Sequence, residues 1–355
     1  METRHLSSYP QGSVKFSLGT RNGQPYRIVP FFFPFMGCEE RCIFCAQHRQ
    51  SGAVPLQESE VLEQVKTRLA DIPSGELAEI AFYGGSFTLW SRSVQHACLE
   101  AVAALGHSRV RCSTRPAAFS GRGEARDPLD PAWLEHLYGL GMRCIELGIQ
   151  SFDDAALRNA RRGYAGSDAL RGCGVVLTAG MHLGVQLMPG MPGVTPAVFL
   201  RDVATALGAG ARFVRFYPCL VIEGTPLAAL WRAGRFTPWD LETTVDTLAE
   251  ALVMCWDADV PVIRMGLAPG EDLANSVLAG PWHPSLGSLV QAEALGVQVA
   301  RHMQGRERAA LALPRRCQGF AGDKRAGLRR RWRQLGISSE QVTWHDGREG
   351  VLHFA

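Results

Sequence analysis

Long apolar runs are absent from this 355-residue sequence. No stretch approaches the roughly 18 uninterrupted apolar residues of a membrane helix, so no spanning segment is expected. Met1–Tyr9 is polar and has no apolar run behind its charges, which argues against a secretory signal. No repeat of fixed period and no low-complexity linker occurs, which argues against a solenoid or a tethered array. An excess of one charge is missing as well: 37 Lys and Arg against 34 Asp and Glu leave a net +3, too little to name a partner. Among ten cysteines only three lie close together. In a long chain without an export signal, that pattern reads as metal or cluster binding in a reducing cytoplasm, not as a disulfide framework.

What remains is a globular composition, 46% apolar and 20% charged, with a β-then-α rhythm. Runs rich in β-branched and aromatic residues predict strands at Arg27–Phe33, Glu79–Tyr83, Val110–Ser113, Cys144–Ile149, His182–Leu187 and Phe213–Tyr217. Amphipathic stretches predict helices between them at Ser59–Asp71, Ser91–Leu105, Pro131–Leu140, Ser167–Ala179 and Pro196–Leu207. Ser59, Ser91 and Ser167 stand as expected N-caps, and Gly106, Gly141, Gly180 and Gly210 punctuate the helix ends. Strands separated by helices must run parallel, because a parallel crossover needs a dozen or more residues. The expected fold is therefore α/β, a parallel sheet either open or curled into a partial barrel. Its site belongs at the C-terminal strand ends, in the loops after Phe33, Tyr83, Ser113, Ile149, Leu187 and Tyr217.

The rhythm changes later. Longer helices are predicted at Pro238–Trp256 and Pro284–Met303, with a short strand at Val262–Met265. These define an expected α+β extension over 236–355, after a core of 27–235 and an N-terminal segment of 1–26. Within the extension, 306–334 is strongly basic, ten Lys and Arg against two acids. Val342–Trp344 and Val351–Phe354 have strand character, and Asp346-Gly347 between them predicts a hairpin.

The loop after the first strand carries Cys38, Cys42 and Cys45. Three thiolates wrapped around a [4Fe–4S] cluster leave one iron open. An open iron can chelate the amino and carboxylate groups of S-adenosylmethionine (SAM), and one electron then cleaves the sulfonium to a 5′-deoxyadenosyl radical. The competing reading is a closed zinc site of Cys38, Cys42, Cys45 and His48. Phe44 favours the cluster, since an aromatic before the third cysteine can lie against adenine. The second strand ends in Gly84-Gly85-Ser86, where paired glycines allow close approach and exposed carbonyls can accept from the cofactor's amino group.

The cysteine loop followed by Gly84-Gly85 resembles the radical SAM superfamily. The phrases Ser113–Pro116, Glu146–Ser151, Leu187–Gly193 and Val262–Gly266 are similar to the radical half of the Elongator catalytic subunit, and to its shorter bacterial relatives, over about Arg27 to Arg301. The resemblance implies the superfamily's partial (β/α)6 barrel. It also implies Gln150 near the ribose and methionine of SAM, Arg162 on the SAM carboxylate, and Gln186 on the ribose. An external electron donor such as a flavodoxin or ferredoxin follows from the same likeness. Two departures stand out. Ser86 replaces an acidic residue common in the superfamily, and nothing after Arg301 resembles an acetyltransferase, so acetyl-CoA chemistry is not implied.

The other seven cysteines are scattered and read as core, with Cys219 the one expected near the cavity. Three function classes stay open: a radical enzyme on a tRNA base, with the basic segment as RNA contact; a radical enzyme on a small metabolite, as in oxygen-independent coproporphyrinogen III oxidases; and a non-enzymatic zinc module. No catalytic residue that relays the radical is identifiable from the sequence.

Overall fold

The structure, a computed structural model, describes residues 12–19, 27–38, 41–51, 54–73, 78–106, 109–116, 129–267, 271–303, 309–321 and 332–354. Its early strands are β1 (Ser13–Phe16), β2 (Arg27–Phe32), β3 (Ala78–Tyr83), β4 (Val110–Thr114), β5 (Met142–Gln150), β6 (His182–Leu187) and β7 (Phe213–Phe216). Later come β8 (Val221–Ile222), β9 (Val262–Met265), β10 (Val277–Ala279), β11 (Ala309–Pro314), β12 (Val342–His345) and β13 (Gly350–Phe354). The chain divides into two compact units. One comprises Asn22–Thr244 and Val262–Pro284, the other Met1–Arg21, Val245–Pro261 and Ser285–Ala355.

The first unit is built on a parallel sheet in the order β2-β3-β4-β5-β6-β7-β9, curled into a half-barrel. Six of these strands are the predicted ones; β9, read from sequence as a stray short strand, pairs in parallel with β7 and makes the sheet seven-stranded. Burial on both faces explains the near-continuous apolar strands: β5 is buried at eight of nine positions. The helices start where the sequence offers an acceptor. Ser91 Oγ accepts from Val94 N, and Thr195 Oγ1 accepts from Val198 N ahead of a helix opening on Pro196. Ser59 and Ser167 are not caps. They lie inside helices whose N-caps are Gln57 and Ala165, because Glu60 and Asp168, three residues on, reach back to accept from those backbone amides at 2.9 and 3.0 Å. Gly106, Gly141, Gly180 and Gly210 all adopt positive φ at helix ends, as expected.

The second unit holds the sheet β1-β13-β11-β12. Here the expected hairpin is corrected: β12 and β13 do not pair with each other but flank β11, which runs parallel to β12 and antiparallel to β13. The sequence of β11, Ala-Ala-Leu-Ala-Leu-Pro, has no β-branched residue to announce a strand, yet all six positions are buried. Of the basic stretch, only Arg315, Arg316 and Arg333 are described; Arg306, Arg308, Lys324, Arg325, Arg329, Arg330 and Arg331 lie outside the described residues. Arg316 donates to the carbonyls of Leu18, Gly19 and Arg348, Arg315 pairs with Asp346, and Trp332 is buried. The described part of this stretch thus holds its own unit together. Among the described residues no helix is long and apolar enough to cross a membrane.

Candidate functional site

A cavity of about 530 Å³ opens at the C-terminal ends of the barrel strands, the position such folds reserve for chemistry. All ten residues expected from the sequence line it: Cys38, Cys42, Phe44, Cys45, Gly84, Gly85, Ser86, Gln150, Arg162 and Gln186. His48 does not. It is exposed, with its ring 5.6 Å from that of Phe35. Cys219 is buried and is not among the lining residues either; its amide donates to the Pro189 carbonyl, and the other six scattered cysteines are core as expected.

The cysteine loop is seated by a residue that the sequence reading missed. Gln47 Oε1 accepts from Phe35 N at 2.7 Å and from Gly85 N at 2.9 Å, tying the loop to the turn after β3. Ser86 N donates to the Met36 carbonyl at 2.7 Å. Gly84 and Gly85 have φ of 82° and 59°, and a Cβ on Gly85 would lie 1.9 Å from the Met36 oxygen. The close approach these glycines permit is therefore met first by the cysteine loop itself. Beneath the turn, Phe33, Phe82, Phe87 and Trp90 pack ring to ring with centroids 4.7–6.4 Å apart.

Burial pushes the Cys38 and Cys45 thiols up, Cys45 to about 12; Ser86, 3.6 Å from Cys38 Sγ, works the other way on Cys38. Arg162 Nη1 donates to Cys42 Sγ at 2.8 Å, and its other donors go to the Gly148 carbonyl and the Tyr164 hydroxyl. Burial opposes the charge of Arg162, but Cys42 and Tyr164 outweigh it and hold the guanidinium protonated. Arg115 Nη2 donates to the Arg162 carbonyl at 2.7 Å, and burial with the neighbouring Arg162 cation pulls Arg115 down to about 10.

The floor of the cavity is an ionic network in the barrel. Glu146 on β5 accepts from Arg215 at 2.6 and 3.1 Å, Arg111 at 3.3 Å, Tyr83 at 2.8 Å and Gln186 at 3.3 Å. Arg111 is also held by Glu79. Burial alone would raise the Glu146 carboxyl, yet the two arginines and Tyr83 bring it below its ordinary value. At the C-terminal end of β5, Gln150 sits at φ 71°, uncommon for a non-glycine. Its buried Oε1 has no hydrogen-bond partner among the described residues. Buried Asp202 fixes the start of the adjoining loop, accepting from Ser151 Oγ at 2.6 Å and Phe152 N at 2.8 Å.

Three thiols on one loop, a glycine turn locked to that loop and an unpartnered amide oxygen form a donor set suited to an iron–sulfur cluster and a polar cofactor. Residues 32–205 match the Radical SAM superfamily, and residues 211–295 match the radical SAM C-terminal domain. The chain belongs to the radical SAM superfamily. Its radical SAM region is homologous to that of proteins named tRNA uridine(34) acetyltransferase and Elongator complex protein 3. It is 28% identical over 162 residues to the former from Methanocaldococcus infernus, covering 44% of this chain and 29% of that one. To Elongator complex protein 3 of Danio rerio it is 28% identical over 154 residues, 39% and 28% of the two chains. The chain spans less than a third of the length of these curated relatives. The solved structure of archaeal Methanocaldococcus infernus Elp3 with an N-terminal deletion shares the fold, with a TM-score of 0.52 and 22% identity over 75% of this chain and 61% of that one.

All ten site residues named from the sequence line the cavity, but Arg115, Met188 and Arg264, which line it from within the phrases that carry the resemblance, were not singled out, nor were residues set by packing. Gln47 follows Cys45 by two positions, which is the one local signal that marked it. Glu146, Arg111 and Arg215 lie on three separate strands and become a cluster only through strand register.

Proposed function

We propose that Cys38, Cys42 and Cys45 hold a [4Fe–4S] cluster with one iron left for SAM, and that the chain performs radical chemistry on a substrate in the same cavity. Bound together, cluster and SAM supply a 5′-deoxyadenosyl radical by one-electron cleavage of the sulfonium. The observation that carries this reading is that three thiols of one loop open into the cavity with no His and no fourth Cys among its described lining residues. Among the described residues, no three His, Cys, Asp or Glu side chains gather as a single bound ion needs. The zinc alternative requires His48, whose exposed place against Phe35 does not support it.

In this reading the Arg162 guanidinium donates a charge-assisted hydrogen bond to the Cys42 sulfur. Its expected hold on the SAM carboxylate falls to the second N–H of Nη1, because Nε, both Nη2 hydrogens and the other Nη1 hydrogen are engaged. Gln150 Oε1 is the acceptor for a ribose hydroxyl, with Gln186 beside it. Phe44 backs the adenine, and the turn Gly84-Gly85-Ser86 receives the amino group. The homology to tRNA uridine(34) acetyltransferases and Elongator complex protein 3 supports a tRNA base as the substrate. The basic charge of segment 306–334 is what supports it as the RNA contact, and one-electron cleavage of SAM calls for an external donor such as a flavodoxin or ferredoxin.

Anaerobic reconstitution tests the cluster. About four irons and four sulfides per chain are expected, lost on replacing Cys38, Cys42 or Cys45 by Ala and kept on replacing Cys98. Stoichiometric zinc in place of iron would sink the reading. Comparing tRNA nucleosides by mass with and without the gene tests the substrate; identical profiles would remove tRNA.

A further inference from the structure

Five arginines line the cavity, and no described Asp or Glu does. Four of the five have company. Arg162 is bonded to Cys42, Gly148 and Tyr164; Arg115 donates to the Arg162 carbonyl; Arg215 is gripped by both oxygens of Glu146; Arg41 lies over the Phe35 ring at 4.0 Å. Only Arg215 of these five is paired with a described carboxylate, and Arg264 on β9 is half-buried with a single described contact. Its one described hydrogen bond runs from Nε to the Gly266 carbonyl at 3.3 Å, and among the described residues no carboxylate pairs with it.

This charge has another cation as its strand neighbour. Arg215 and Arg264 are paired residues of the neighbouring strands β7 and β9, and like charges in that relation repel. Glu146 compensates Arg215, and no described acid compensates Arg264. A cation that lines a cavity with no described acid beside it is a candidate for binding an anion. Tyr217, just past β7, lines the same cavity. Its hydroxyl oxygen accepts from Arg215 Nη1 at 3.4 Å, which leaves its own proton for another acceptor.

We propose that Arg264 and Tyr217 form an oxyanion subsite on the β7–β9 side of the cavity, which takes a carboxylate or phosphate group of the substrate. A guanidinium fork matches either group with two parallel hydrogen bonds, and the tyrosine adds a third. The inference rests on the radical SAM reading in one respect only, that this cavity is the reaction chamber.

The test titrates the full chain, reconstituted and saturated with SAM, with inorganic phosphate and separately with malonate, reading affinity by calorimetry. At least one anion should bind, and Arg264→Gln should weaken that binding about tenfold or more, as expected for a charge-assisted contact. Tyr217→Phe should weaken it less. Tighter phosphate points to a nucleotide phosphate and tighter malonate to a carboxylic acid; both support the subsite. No binding of either anion by the parent overturns it, and so does equal binding by Arg264→Gln. Binding that SAM abolishes would assign Arg264 to the cofactor and overturn it too. On the same samples, Arg264→Gln should melt no lower than the parent without anion, since it removes an uncompensated charge; a clear drop would make Arg264 a structural residue. The titration is repeated on metal-free protein. A parent that takes up no cluster yet binds the anion through Arg264 counts against the radical SAM reading and leaves the subsite standing.

Discussion

Gln47 offers one side-chain oxygen to two backbone amides, Phe35 N and Gly85 N, and so joins the cysteine loop to the glycine turn. Gln47→Ala leaves both donors without that acceptor. A half-buried amide deprived of its partner costs roughly 1–3 kcal/mol. Gly85→Ala attacks the same joint from the other side, by placing a methyl 1.9 Å from the Met36 oxygen at φ 59°. Both variants should fold yet retain less iron per chain after desalting than the parent, with Gly85→Ala the worse. Parent-level iron in both would show that the loop holds its shape without the joint. The two residues differ in how visible they are in sequence. Gly85 announces itself as half of a glycine pair, while Gln47 is one of many glutamines until the loop folds back over the turn.

At the scale of elements, the strands of the barrel are bound by charge as well as by backbone. Glu146 joins residues of β3, β4, β6 and β7. Removing one member of a buried ion pair strands its partner, at a cost of roughly 3–5 kcal/mol. Glu146→Gln should therefore lose about that much in a urea melt, whereas Glu223→Gln, from the exposed pair with Arg232, should lose no more than about 1 kcal/mol. Similar losses in the two variants would contradict the role given to burial. Asp202 supplies a pH signature. Burial pushes its carboxyl up to about 6 from 3.8, against the pull of Ser151 and Phe152. Between those values the unfolded chain has released a proton that the folded chain keeps, so stability falls as pH rises through the window and levels above it. Asp202→Asn should flatten that fall, by an amount of the order of 2 kcal/mol between about pH 4 and 7. An unchanged slope in urea melts across that range would place the titration elsewhere. The strands themselves were legible wherever apolar and β-branched residues ran together, which covers all seven barrel strands within a few residues. What escaped were the short strands β1, β8 and β10 and also β11, an alanine–leucine segment that burial alone makes a strand, and with β11 the arrangement of β12 and β13. A hairpin signal at Asp346-Gly347 is local; the sheet order is decided by a segment some thirty residues earlier in the chain.

For the molecule as a whole, the division into two units does not follow the order of the sequence. The unit without the cavity is assembled from three stretches, and its β1 pairs with β13 alone. Deleting residues 350–355 removes the strand between β1 and β11. The expected result is early protease cleavage within 285–349 while fragments from 129–244 survive, read by mass mapping of a limited digest. Uniform resistance would mean that β13 is dispensable to its sheet.

The pairing of β1 with β13 also sets a timetable. Ser13 lies opposite His353, so β1 leaves the ribosome about 340 residues ahead of the strand it pairs with. The cavity-bearing unit has all of its residues by Pro284, before any of β11, β12 or β13 has been synthesised. Throughout that interval β1 is an unpaired edge, a template for any other strand it meets. Nascent chains stalled once Pro284 has cleared the ribosome should therefore already protect the barrel strands from hydrogen exchange while β1 exchanges freely, and β1 becomes protected only once β13 has been made.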